Sequence, residues 1–124
     1  MGTLVYKEES FLIIGKCMEV HNQLGGGFSE IIYKDALELE FTRANIAFER
    51  ERKYDVKYKD VILPHCFYAD FVVMENIILE VKTATAIADA SIAQTINYLA
   101  ASKCRLGIIV NFGRNLLEYK RVVF

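Results

Sequence analysis

The stretch FYADFVVMENIILEVK, residues 67–82, decides the fold of this chain. Two runs rich in aromatic and branched apolar residues, 67–73 and 77–82, flank a short polar break, a pattern typical of a β-hairpin. Because successive side chains of a strand point to opposite faces, Glu80 and Lys82 lie on the same face of the second strand. Two opposite charges are therefore expected about 7 Å apart on one side of the hairpin.

The length of the hairpin loop decides where Asp70 points. A loop with an odd number of residues, such as 74–76, places Asp70 opposite Glu80, whereas an even loop turns it to the other face. We favour the odd loop, which puts Asp70, Glu80 and Lys82 together on one face of a largely apolar hairpin. Unpaired charges in such a place would be costly. Taken alone, the set is also compatible with a salt-bridged hairpin that has no chemistry.

Two motifs resemble those of a known family. Asp70, separated by nine residues from Glu80-Val81-Lys82, resembles the signature of PD-(D/E)XK nucleases, with Ala69 where the signature has a proline that supplies no ligand. The segment GFSEIIY, residues 27–33, matches the pattern that names the GxxExxY family. The resemblance covers residues 10–124 and includes two further features, Gln94 with Tyr98 and Asn111-Phe112-Gly113.

The resemblance implies a fold and an activity. The fold would be an α/β, restriction-endonuclease-like core with a mixed β-sheet flanked by helices, in a single domain over residues 1–124. The activity would be metal-dependent hydrolysis of phosphodiester bonds in DNA or RNA. Two carboxylates and a backbone carbonyl form a hard oxygen site that suits Mg²⁺ or Mn²⁺. The implied ligands and catalytic residues are Asp70, Glu80 and the Val81 carbonyl, with Glu30 as a further acid, Lys82 as the catalytic amine and Gln94 as a substrate-positioning residue.

Glu30 has two interpretations. Ser29 is a good N-cap for a helix over residues 30–45, and an acid in its first turn favours the helix dipole by under about 1 kcal/mol. The motif instead favours a Glu30 side chain that projects toward Asp70 and Glu80. The same helix has an apolar stripe through Tyr33, while Lys34 is expected on the opposite, solvated side.

The other elements follow from periodicity and turn residues. Positions at helical spacing predict a helix over 7–24 whose apolar stripe contains Phe11, Ile14, Met18, His21 and Leu24. The remaining predictions are a strand over 47–58, a turn at Lys59-Asp60, a strand from 61 whose pairing Pro64 limits, a helix over 87–102, a strand over 106–111 parallel to 77–82, and a closing strand over 116–124.

Composition limits the function classes. The 124 residues carry a net charge of −1, without the basic excess of proteins that grip long DNA, so we expect a homodimer or another partner to complete nucleic-acid binding. The alternative is a catalytically silent interaction or regulatory module on the same fold. No apolar run is long enough to span a membrane, and a cytoplasmic location is the default expectation. The three cysteines have no C-x-x-C spacing and are expected to be reduced thiols.

Overall fold

A computed structural model describes residues 5–124. Its elements follow the predicted order and type, with ends that lie within two residues of the predicted ones. In chain order they are α1 (Lys7–Leu24), α2 (Glu30–Arg43), β1 (Phe48–Tyr58), β2 (Val61–Val73), β3 (Ile77–Lys82), α3 (Asp89–Ser102), β4 (Leu106–Asn111) and β5 (Glu118–Val123).

The five strands form one mixed sheet in the order β1-β2-β3-β4-β5. β3 and β4 are parallel, and the other neighbouring strands pair antiparallel. Parallel neighbours need a crossover connection, which α3 supplies between β3 and β4. A mixed sheet flanked by helices confirms the predicted restriction-endonuclease-like fold class.

The two faces of the sheet are covered by different helices. One core lies under α1 and α2 and contains Ile13, Cys17, Leu37, Phe41, Phe71, Leu79 and Val110. The other lies under α3 and contains Val72, Ile78, Tyr98, Leu99 and Ile109. β3 and β4 are central and buried along almost their whole length, as expected for strands covered on both faces.

The predicted buried stripe of α1 was wrong in part. Ile14 and His21 are buried and Leu24 is half-buried, but Phe11 and Met18 are 66% and 43% exposed, and Ile13 and Cys17 are buried in their place. The helix has apolar residues at both sets of positions, so helical spacing alone does not fix which side faces the sheet.

The β2–β3 hairpin has the predicted odd loop. Val73 pairs with Ile77, Val72 with Ile78 and Phe71 with Leu79, which leaves the three residues 74–76 as the loop. The predicted odd loop is confirmed, and the ladder between β2 and β3 ends at the pair of Phe71 and Leu79, one residue before Asp70 and Glu80.

β2 continues past Pro64, which was expected to limit its pairing. The β1–β2 register shifts between Asp55 and Lys57, and the residues opposite this shift on β2 are 63–65. Pro64 therefore lies in an irregular part of the ladder, where a residue without a backbone N–H is tolerated.

A glycine-rich turn joins α1 to α2 and fixes the start of α2. Gly25 has a φ of 71°, which ends α1. The Tyr33 hydroxyl donates to the Gly25 carbonyl and accepts the Phe28 N–H at 3.2 Å. The Tyr33 ring stacks on Phe112, with centroids 4.4 Å apart. The tyrosine of the GxxExxY pattern thus ties the turn before α2 to the residues after β4.

Candidate active site

Asp70 and Glu80 lie where β2 and β3 separate. The ladder pairs extend to Phe71 and Leu79; beyond them, side-chain carboxylates accept the backbone hydrogen bonds. The Asp70 N–H donates to Glu80 Oε2 at 2.8 Å, and the Val81 N–H donates to Asp70 Oδ2 at 2.8 Å. These two bonds hold both carboxylates in the opening between the strands.

A local irregularity in β1 and β2 accompanies this opening. Residues of one strand that are separated by an even number of positions normally face the same side of the sheet. On β1, however, Phe48 packs under α1 and α2 while Tyr54 packs under α3, and on β2 Phe71 packs under α1 and α2 while Ala69 packs under α3. The side-chain direction therefore reverses between these positions on both strands. The ladder pairs Arg50 with Phe71 and Arg52 with Ala69 but skips the pair between them, and Glu51 has a φ of 55°.

The environment of Glu80 disfavours its charged form. Burial, and then the negative charge of Asp70, raise the pKa of Glu80 to about 8. The Asp70 N–H and the positive charges of Lys82 and Lys34 act in the opposite direction. Two carboxylates at one buried place attract a cation, because their mutual repulsion falls when a positive charge lies between them.

Lys82 and Gln94 are brought together at the edge of the site. Lys82 Nζ donates to Gln94 Oε1 at 3.2 Å. The contact arises because α3 runs back along the sheet beside the end of β3. Gln94 is exposed, so this contact lies where the edge of the site meets solvent.

Lys34 is a charged residue of the site that the sequence analysis missed. The helical pattern placed it on the solvated side of α2, but it is only 8% exposed. Its Nζ donates to Asp70 Oδ1 at 3.0 Å and forms an ion pair with Glu51. Burial lowers the pKa of Lys34, but the bonds to Glu51 and Asp70 outweigh this effect and raise it. The one available signal was its position, one helical turn after Glu30.

Glu30 does not join the carboxylate pair. Its side chain is exposed at the first position of α2. Within residues 5–124, no group of three or more His, Cys, Asp or Glu side chains is close enough to hold a metal ion. The structure thus brings together two of the three acids that the resemblance implied, Asp70 and Glu80.

The residues present are still chemically suited to a hard divalent cation. Mg²⁺ retains several waters and commonly uses only one or two protein carboxylates. Asp70 and Glu80 supply two carboxylates on neighbouring strands, and the Val81 carbonyl is a third oxygen on the same strand as Glu80. The donor set therefore fits Mg²⁺ or Mn²⁺ better than zinc, which prefers nitrogen and sulfur ligands.

Tyr98 covers the α3 side of the site. It is 6% exposed, and its ring packs edge-on against Phe67 with centroids 5.4 Å apart. Burial, and then the charges of Glu80, Asp70 and Glu51, raise the pKa of its hydroxyl to about 12. A neutral phenol beside the carboxylates limits their access to water from this side.

Asn111 supports the loop that follows Lys82. This side chain is fully buried, its Oδ1 accepts the N–H groups of Ala84 and Gly113, and its Nδ2 donates to the Ala84 carbonyl and to Glu118. Glu118 also accepts the Ile87 N–H at 3.1 Å. The path from β3 into α3 is therefore fixed by residues of β4 and β5.

Comparison with known proteins agrees with this geometry. A family model described as the PD-(D/E)XK nuclease superfamily matches residues 7–122. The chain belongs to the PD-(D/E)XK nuclease superfamily. Nucleases of this superfamily generally depend on divalent metals, in agreement with the carboxylate pair at the point where β2 and β3 separate.

Other comparisons add information on the fold. A solved structure titled "Crystal structure of SSO0001" aligns with a TM-score of 0.59 at 17% identity, covering 95% of this chain. The alignment covers only 57% of the solved protein's chain, so the present chain spans little more than half of that protein's length. No curated protein matches the sequence significantly. No helix within residues 5–124 is long and apolar enough to cross a membrane.

Proposed function

We propose that this chain is a nuclease of the GxxExxY type that hydrolyses phosphodiester bonds in DNA or RNA with the help of Mg²⁺ or Mn²⁺. The observation that carries the proposal is the carboxylate pair beside Lys82, in which Glu80 accepts the Asp70 N–H and Asp70 accepts the Val81 N–H. The match of the GxxExxY pattern at residues 27–33 supports the finer family assignment, because its tyrosine, Tyr33, stacks on Phe112 of the Asn111-Phe112-Gly113 segment.

Phosphodiester hydrolysis needs a nucleophilic water and neutralisation of the charge that grows on the phosphate. A bound divalent ion supplies Lewis-acid stabilisation of the phosphate. Asp70 and Glu80 would hold that ion together with the Val81 carbonyl. The Lys82 ammonium would orient the attacking water or oppose the negative charge of the transition state.

Gln94 and Glu30 have supporting roles in the proposal. Gln94 accepts a hydrogen bond from Lys82, so it would position that ammonium and meet the substrate at the exposed edge of the site. Glu30 would serve as an outer acid that holds a second ion or a water. Glu30 is exposed at the start of α2, which suits a side chain that contacts the second ion or water only after these have bound.

The test is cleavage of a panel of single-stranded and duplex DNA and RNA with Mg²⁺ or Mn²⁺. We expect D70A, E80A and K82A each to lower the rate by about 10²-fold or more, on the scale of removing a group that stabilises the transition state. E75Q is the matched control, because Glu75 is an exposed acid in the loop of the same hairpin. Cleavage by the native protein that does not exceed that of E80A would refute the enzyme proposal.

The second candidate is a silent module that binds a partner without chemistry. The net charge of −1 favours it, because a protein that binds nucleic acid alone usually has a basic surface. A homodimer would double the available contacts, and light scattering after gel filtration measures this state directly. The silent module predicts a stable complex with protein or nucleic acid that survives E80A, whereas its loss in folded E80A protein would count against it.

A further inference from the structure

The carboxylate pair already has an internal cation. Lys34 Nζ lies 3.0 Å from Asp70 Oδ1, and Asp70 Oδ2 accepts the Val81 N–H. Both oxygens of Asp70 therefore have a protein donor. A divalent ion that takes Asp70 as a ligand therefore meets the ammonium ion of Lys34, and two positive charges so close together repel each other, so the two compete for Asp70.

Lys34 also has a second partner that makes its release from Asp70 inexpensive. Its ammonium forms an ion pair with Glu51, whose side chain is 50% exposed. Breaking a buried ion pair is strongly destabilising when it leaves a charge without a partner. Here Glu51, which is open to water, can keep the Lys34 ammonium paired when Asp70 binds another cation.

We propose that Lys34 is a built-in counter-ion that competes with the divalent ion for Asp70, and that Glu51 is the alternative partner onto which it is displaced. Lys34 thereby sets the metal affinity of the site. This inference rests on the proposed function, because it takes Asp70 as a metal ligand. If Lys34 were instead a positioning residue that holds Asp70 in place for the metal, removing Lys34 would weaken metal binding, whereas competition predicts that its removal tightens metal binding.

The experiment is calorimetric titration of Mn²⁺ into five metal-free proteins: native, K34M, E51Q, K34M/E51Q and D70A. We expect K34M to tighten binding by about tenfold or more, the scale on which groups that contact metal ligands act. E51Q should weaken binding, because it leaves Asp70 as the only partner of Lys34. Once Lys34 is removed, E51Q should have less than about a twofold effect, since Glu51 acts through Lys34. K16M is a control, because Lys16 pairs with Glu19 on α1.

The outcomes separate this inference from the proposed function. Weaker binding in K34M, with binding in the native protein that D70A abolishes, overturns the inference and leaves the metal site in place. No binding in either the native protein or K34M overturns both. Binding in K34M alone supports both. Thermal melting without metal checks that each variant folds. If K34M does not fold, Mn²⁺ binding by E51Q that is unchanged or tighter than that of the native protein still overturns the inference.

Discussion

Glu80 couples the chemistry of the site to the stability of the metal-free protein. Burial and the neighbouring charge of Asp70 raise the pKa of Glu80 in the folded state to about 8, from an ordinary value of 4.5. The folded protein therefore binds this proton more tightly than the unfolded chain. The resulting stabilisation is complete below pH 4.5 and is lost as the pH rises from 4.5 through 8.

The E80Q variant tests this coupling. Without metal, we expect the native protein to lose stability relative to E80Q as the pH rises from 5 to 8, by at most about 1.4 kcal/mol per pH unit. Titrating groups that do not interact with Glu80 contribute equally to both proteins and cancel in the difference. The measurement is urea unfolding at several pH values with EDTA present, and E75Q should follow the native curve. Parallel curves for the native protein and E80Q would show that Glu80 titrates near its ordinary pKa.

Asn111 provides a prediction about the support of the site. We expect N111A to destabilise the fold by about 2 kcal/mol, because it leaves the loop amides of Ala84 and Gly113 without their partner and removes one of the two donors to Glu118 Oε1. N111D should cost more, since it places a second carboxylate against Glu118. N115A is the matched control at an exposed asparagine nearby. Chemical unfolding gives the free energies, and an N111A protein as stable as N115A would contradict the assigned role.

At the scale of elements, the loop after β4 and the loop after β3 approach too closely to admit a side chain. A Cβ on Gly113 would lie 2.6 Å from the backbone N and O of Ala84. We expect G113A to destabilise the protein by about 1–3 kcal/mol, because one of the two loops must move. The displaced loop leads from Lys82 into α3, so Mn²⁺ binding should also weaken.

G15A is the matched glycine substitution for G113A. Gly15 lies within α1, and a Cβ there would meet nothing within 4 Å. Alanine is favoured over glycine in a helix interior, so G15A should stabilise the protein by about 0.5–1 kcal/mol. Thermal melting of both variants gives the comparison. Equal effects of the two substitutions would mean that the close approach at Gly113 does not constrain the loops.

Most elements could be predicted because their signals are local. The run FVVMENIIL fixed the hairpin and its odd loop, and the strand-helix-strand order fixed the parallel pair. Two features depended on tertiary packing. Lys34 is buried because Asp70 and Glu51 surround it, a contact between distant parts of the chain. The reversal of side-chain direction near Glu51 involves a positive φ at a residue type that gives no warning of it.

At the scale of the whole molecule, charge is distributed in a way that limits binding to nucleic acid. The net charge is −1, and several basic residues are already paired with acids, including Arg50 with Asp35 and Lys34 with Glu51. The 15 basic residues are also offset by 16 acidic ones, so the protein has no overall excess of positive charge with which to neutralise phosphates. Affinity should depend on a small number of contacts close to the carboxylate pair rather than on a broad basic surface.

Salt dependence measures this number directly. The logarithm of the binding constant falls with the logarithm of the salt concentration with a slope of about −0.9 per neutralised phosphate of duplex DNA. For the non-cleaving E80A protein we expect a slope near −3, measured by fluorescence anisotropy of a labelled duplex from 50 to 300 mM KCl. Adding K82A should bring the slope about one unit closer to zero if Lys82 meets a phosphate, whereas K16A should leave it unchanged. A slope near −8 would reveal an extensive basic surface created by assembly, because a single copy with this charge balance does not supply so many contacts.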